Sequence, residues 1–146
     1  MTTVNTYLYF NGNCEEAFNL YKSVFGGEFA SIMRNKDMPK EAAFPGSNDT
    51  PEMIIHVSLP VGKNTILMGS DVPGHVPPST QGTNFYISID IESEAEATRV
   101  FNQLFAGGKV HMPLGKTFWG AFFGMGADKF GIQWMISYDY NRANKN

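Results

Sequence analysis

Three histidines, one cysteine and fourteen carboxylates are the reactive groups of this 146-residue chain. His56 sits in "EMIIHVSLPV", an apolar, strand-like run in which alternation places Ile54 and Ser58 on its side. If that side faces a cavity, the imidazole can take or give a proton near neutral pH. The plainer alternative is a hydrogen-bonded structural histidine. His75 falls in the Pro-rich stretch "SDVPGHVPPSTQG", and His111 lies on an edge-like strand beside Pro113. No two histidines are close in sequence. Cys14 stands at the first turn of a helix, where the dipole lowers a thiol pKa, but Glu15 and Glu16 beside it oppose a thiolate. An inert, partly buried cysteine is expected. A single cysteine also excludes an internal disulfide and a Cys-based zinc site. The catalytic residue is thus left open, with His56 as the one candidate.

The elements that must position these groups repeat. "TYLYF", Thr6 to Phe10, reads as a strand. Asn13 and Glu16 then form a capping-box pattern ahead of a helical stripe of Ala17, Leu20, Tyr21 and Val24, which Gly26-Gly27 ends. The second half repeats the order: a strand "NFYISIDI" from Asn84 to Ile91, a Ser93/Glu96 capping box, a stripe of Ala97, Val100, Phe101, Leu104 and Phe105, and the stop Gly107-Gly108. Three strand-like segments follow each stop. The reading is α+β: one domain over 1–146, made of a βαβββ module at 1–71, a Pro/Gly/Ser-rich linker at 72–82, and a second βαβββ module at 83–146. Either half alone has too little sheet to bury a core. A long loop, Asn35 to Pro51, has the length of a lid.

Composition narrows the partners. Hydrophobic residues are 42 % and charged ones 17 %, which suits a folded chain. A net charge of −3 argues against nucleic-acid binding, which needs clustered cations. No apolar run is long enough to span a bilayer. The first residues show no basic segment followed by an apolar core, so a cytoplasmic location is expected.

The motifs "YLYFNGNCEEAFNLYKSVFGGE", "DMPKEA", "ILMGSD" and "KTFWGAFFGMGADKFGIQWMI" resemble the PhnB-like branch of the vicinal oxygen chelate superfamily, which includes glyoxalase I, bleomycin-resistance proteins and extradiol dioxygenases. The resemblance implies modules curling into a cupped mixed sheet around a small ligand, commonly in a homodimer. It also implies four ligand-side positions where metal-dependent members carry His or Glu. Carried over, these fall on Thr6, Met68, Asn84 and Met135. None suits a hard divalent ion, and a thioether is a soft donor. No metal and no other cofactor are therefore expected, and the leading reading is an apolar cup for a small organic ligand. Strand phase adds Tyr86 to the pocket, and Phe118 or Trp119 as further wall residues. Trp134, alternating with Met135, goes to the core. One alternative is a lyase or dioxygenase-like enzyme with a displaced metal site using His56 or Glu52; another is a structural dimer. Some PhnB-like proteins carry a demethylubiquinone methyltransferase label. No doubly wound sheet or Gly-rich first loop for a sulfonium donor is legible here, and "GMGADKFG" reads as a hairpin turn centred on "ADKFG".

Overall fold

A computed structural model describes residues 1–42 and 49–142. The chain divides into two compact units, Met1–Thr80 and Gln81–Asn146. Each builds a four-stranded mixed sheet with one α-helix packed on it.

Unit one contains β1 (Thr6–Phe10), α1 (Cys14–Phe25), β2 (Ser31–Arg34), β3 (Ile54–Val61) and β4 (Thr65–Asp71), in the sheet order β1-β4-β3-β2. β1 runs parallel to β4; the other pairs are antiparallel. Leu8, Phe10, Val57, Leu59 and Leu67 face α1 and are buried with Ala17, Phe18, Tyr21 and Val24. Gly69 lets the helix approach. A Cβ there would lie 2.7 Å from both the Leu8 carbonyl and the Phe18 ring. The Asn13 side chain makes no cap bond to α1, contrary to the capping-box pattern. A tertiary partner supplies it instead: Asp71, buried at the end of β4, accepts from Cys14 N at 2.9 Å and from Ile54 N at 2.9 Å. The loop after β2 contains two 3₁₀ turns, Asn35–Asp37 and Lys40–Ala42. The middle of the stretch expected to have lid length lies outside the described residues.

Unit two contains β5 (Ile87–Asp90), α2 (Glu94–Leu104), β6 (Lys109–Lys116), β7 (Ala121–Ala127) and β8 (Gln133–Asp139), in the order β5-β8-β7-β6. Here the capping expectation is half met. Ser93 Oγ accepts from Glu96 N at 3.1 Å, while the Glu96 carboxylate is taken by Arg99. The expected strand from Asn84 begins only at Ile87. β8 starts at Gln133, so no strand backbone lies opposite residues 84 and 85. Side chains hold that approach, with Gln133 Nε2 donating to Phe85 O at 2.7 Å. Gly131 closes the β7–β8 turn at φ +88°, conformational space that favours glycine.

Among the described residues no helix is long and apolar enough to cross a membrane.

Candidate functional site

Each sheet has one face under its helix and one face turned away from it. The site question is which side chains occupy the second, open face.

In unit one the register answers for Met68. It pairs with Tyr7 on β1 and with Ser58 on β3, so the three share the open face. Thr6 pairs with Leu67 and falls on the helix face. The placement of Thr6 beside Met68 is therefore corrected by one residue: Tyr7 stands there. Tyr7 and Tyr9 remain 44 % and 52 % exposed while Leu8 and Phe10 are buried. His56 also lies on the open face. A bulge at Ile55 sets two residues of β3 opposite Met33, so Ile54 turns under α1 while His56 stays with Ser58. Ile54 thus does not share the side of His56, as plain alternation had it. Tyr7 Oη reaches over β4 to within 3.4 Å of His56 Nδ1.

The other unit-one candidates are occupied elsewhere. Glu52 is exposed and paired with Lys36 Nζ at 2.8 Å and Arg34 Nε at 3.7 Å. Arg34 also clasps Glu15 and holds that carboxyl below the usual carboxylate range. Cys14 is fully buried, more deeply than the sequence suggested. Burial, followed by the nearby Asp71 and Glu15, pushes its thiol far above the ordinary range. His75 is an exposed residue of the segment between β4 and β5.

In unit two Trp134 and Ile136 are buried under α2, and Met135 faces the other way. The turn fixes this phase. Asp128, 3 % exposed, accepts from Phe130 N at 2.8 Å, Ile132 N at 3.1 Å and Trp134 Nε1 at 2.9 Å. The one acid of the aromatic stretch therefore pins the indole inside and leaves Met135 outside. Across the sheet, Met135 pairs with Ser88, Met125 with Met135, and Met112 with Met125. Three thioethers thus lie in one lateral row on three adjacent strands.

Tyr86, one residue before β5, lies 2.7 Å through its hydroxyl from His111 Nδ1 on β6. β5 and β6 are opposite edges of this sheet. Three strand spacings of about 4.8 Å would separate flat edges by roughly 14 Å. The long Tyr86 side chain and the His111 ring bridge most of that span across the open face, and the register shifts along β6 bend the edge toward it. Asn84 is exposed, in the bend ahead of β5. Phe118 and Trp119 occupy the β6–β7 loop, 97 % and 53 % exposed, with Trp119 edge-on to Phe123 at 5.7 Å. Of the sequence candidates in this unit, Tyr86 and Met135 share the open face. Phe118 and Trp119 form an exposed aromatic step at its loop end. Sequence reasoning missed Tyr7, His111, Met112 and Met125. The first was readable only as the other phase of "TYLYF", and the rest depend on register.

Among the described residues no group of three or more His, Cys, Asp or Glu side chains is arranged to hold a metal ion.

Two four-stranded βαβββ modules, each with a helix on one face and the other face open, define the glyoxalase/bleomycin resistance/dioxygenase fold. Within it, the family model for 3-demethylubiquinone-9 3-methyltransferase matches residues 2–137, and the chain belongs to that family. Protein YjdN of Escherichia coli (strain K12) is 31 % identical over 140 residues, covering 92 % of this chain and 93 % of YjdN. The crystal structure of protein PA1353 from Pseudomonas aeruginosa is 40 % identical, with a TM-score of 0.83 over 95 % of this chain and 98 % of that one. A PhnB protein from Bacillus cereus is 29 % identical, with a TM-score of 0.75 over 94 % and 99 % of the two chains. A glyoxalase-related enzyme from Fulvimarina pelagi shares the fold alone, at 17 % identity and a TM-score of 0.61 over 95 % and 89 %.

Proposed function

We propose that this chain binds a small organic ligand on the apolar open face of its sheet, without the hard divalent ion used by metal-dependent members of the superfamily. The observation that carries the reading is the identity of the side chains on the open face of unit two. Met135 stands where a metal-binding relative carries a carboxylate, Met125 stands beside it, and Tyr86 and His111 supply the polar handles. Thioethers adapt their shape to a bound molecule and make favourable contacts with aromatic rings. An apolar wall with a few placed polar groups suits a compact organic molecule better than a phosphate. A cytoplasmic homodimer is the setting this reading implies.

The family name does not bring methyl transfer with it. Each module here is a small mixed sheet under one helix, and among the described residues no doubly wound parallel sheet with a Gly-rich first loop offers a place for a sulfonium donor. Fold likeness to lyases and dioxygenases favours the enzyme alternative, but its displaced ligands are poorly placed: Glu52 is held by two cations and His56 faces Tyr7. The test is metal analysis of untagged protein followed by a thermal-shift screen of the chelator-treated protein against aromatic and thiol-adduct metabolites. The expected result is far less than one divalent ion per chain and stabilisation by a subset of the panel. A stoichiometric divalent ion, or stabilisation that appears only after one is restored, would favour the enzyme alternative.

A further inference from the structure

The row of methionines in unit two has a second chemical meaning. Met112, Met125 and Met135 are direct cross-strand partners on β6, β7 and β8. Such partners have Cβ atoms about 4.5–5.5 Å apart, and a methionine side chain has three torsions with which to bring its sulfur toward a neighbour's. Three of the eight methionines of the chain share this one row. Met125 and Met135 are half-buried and Met112 is 41 % exposed, so the row is neither sealed in the core nor wholly solvated. His111 is the extra residue of the register shift between Val110 and Met112, so it escapes plain alternation, and its contact with Tyr86, which shares the phase of Ser88 and Met135, brings its ring to the face of the row.

From this juxtaposition we infer that unit two holds a site for a soft monovalent d¹⁰ cation, Cu(I), with the sulfurs of Met112, Met125 and Met135 and Nε2 of His111 as donors. Thioethers are neutral and polarisable, and they select Cu(I) over hard divalent ions. His111 fits the role for an independent reason. A metal-bound imidazole normally donates its other ring N–H to a fixed partner, which orients the ring. Here Nδ1 is 2.7 Å from the Tyr86 hydroxyl, which leaves Nε2 as the donor to the ion. The site requires no carboxylate and no thiolate. It stands apart from the organic-ligand reading, since each can fail without the other.

The experiment uses the full chain, metal-free, reduced and anaerobic, with methyl-¹³C methionine. Ag(I) serves as the redox-inert probe in the NMR titration, and Cu(I) competes against bathocuproine disulfonate. The expected result is saturation at one Ag(I) per chain, with the methyl resonances of Met112, Met125 and Met135 moving together and withdrawal of Cu(I) from the chelator. Met125→Leu keeps the volume of the side chain and should abolish both signals with the fold intact. Tyr86→Phe should weaken Cu(I) binding by roughly 10-fold. Cys14→Ala should change neither. Shifts confined to Met33, Met68 or other methionines, loss of binding in Cys14→Ala, unchanged affinity in Met125→Leu, or no withdrawal of Cu(I) would each overturn the inference.

Discussion

Replacing Asp128 by alanine is expected to remove about 3–5 kcal/mol of stability, a large share of the roughly 5–15 kcal/mol that holds a typical domain together. Asp128 is buried and accepts three hydrogen bonds, two from the backbone of its own turn and one from the Trp134 indole. Truncation leaves all three donors without this acceptor in a place water reaches poorly. Bonds to a carboxylate are worth about 1.5–3 kcal/mol each, and three converging on one group do not add in full. Asp128→Asn separates the contributions. Its amide keeps one carbonyl oxygen for the turn but presents an NH₂ to the indole, so a loss of about 1–3 kcal/mol is expected. Chemical denaturation followed by tryptophan fluorescence measures both. A loss below about 1 kcal/mol for the alanine variant would mean that the turn, and with it the phase of Met135, is set by something other than this acid.

The second large effect belongs to Asp71. Its carboxylate joins the N-terminus of α1, through Cys14 N, to the first residue of β3, through Ile54 N. Asp71→Ala leaves both amides without their acceptor. Loss of a helix cap costs about 0.5–2 kcal/mol, and a buried orphan donor about 1–3 kcal/mol, so a combined loss of about 2–4 kcal/mol is expected. Native-state hydrogen exchange gives the sharper readout. The amides of Cys14 and Ile54 should lose protection well beyond the global change, because the tie between helix and sheet is local. Uniform loss across unit one would show that Asp71 acts only through overall stability. Asn13→Ala is the companion variant. The sequence marks Asn13 as the cap, but its side chain makes no cap bond, so the substitution should move stability little.

These two acids show where the sequence was legible and where it was not. The repeated order of strand, helix and three strands followed from periodicity and from the glycine stops. Those are local signals, and the chain supplied them twice, once in each half. The inward turn of Trp134 followed from alternation on the last strand. The caps were less legible because the partner competing for the helix N-terminus, Asp71, lies 57 residues from Cys14. The same limit governed the candidate site. "TYLYF" alternates equally well in either phase, and only the pairing of Tyr7 with Met68 shows that the tyrosines take the open face. A bulge at Ile55 separates Ile54 from His56, and no local composition announces it. The row Met112, Met125, Met135 is a property of register across three strands, and the Tyr86–His111 contact spans the open face from one edge to the other. Neither is encoded within a single element.

The central claim is that the open, thioether-lined face of unit two receives an organic molecule without help from a divalent ion. The most direct measurement is a methyl NMR titration of the chelator-treated protein with the aromatic compounds that stabilise it. Met112, Met125 and Met135 are followed as reporters, with Met33 and Met53 as references outside unit two. The account predicts saturable shifts of the three row methyls, with Met33 and Met53 unmoved. Silence of the three methyls in the presence of a stabilising ligand, or shifts that appear only once a divalent ion is added, would contradict it.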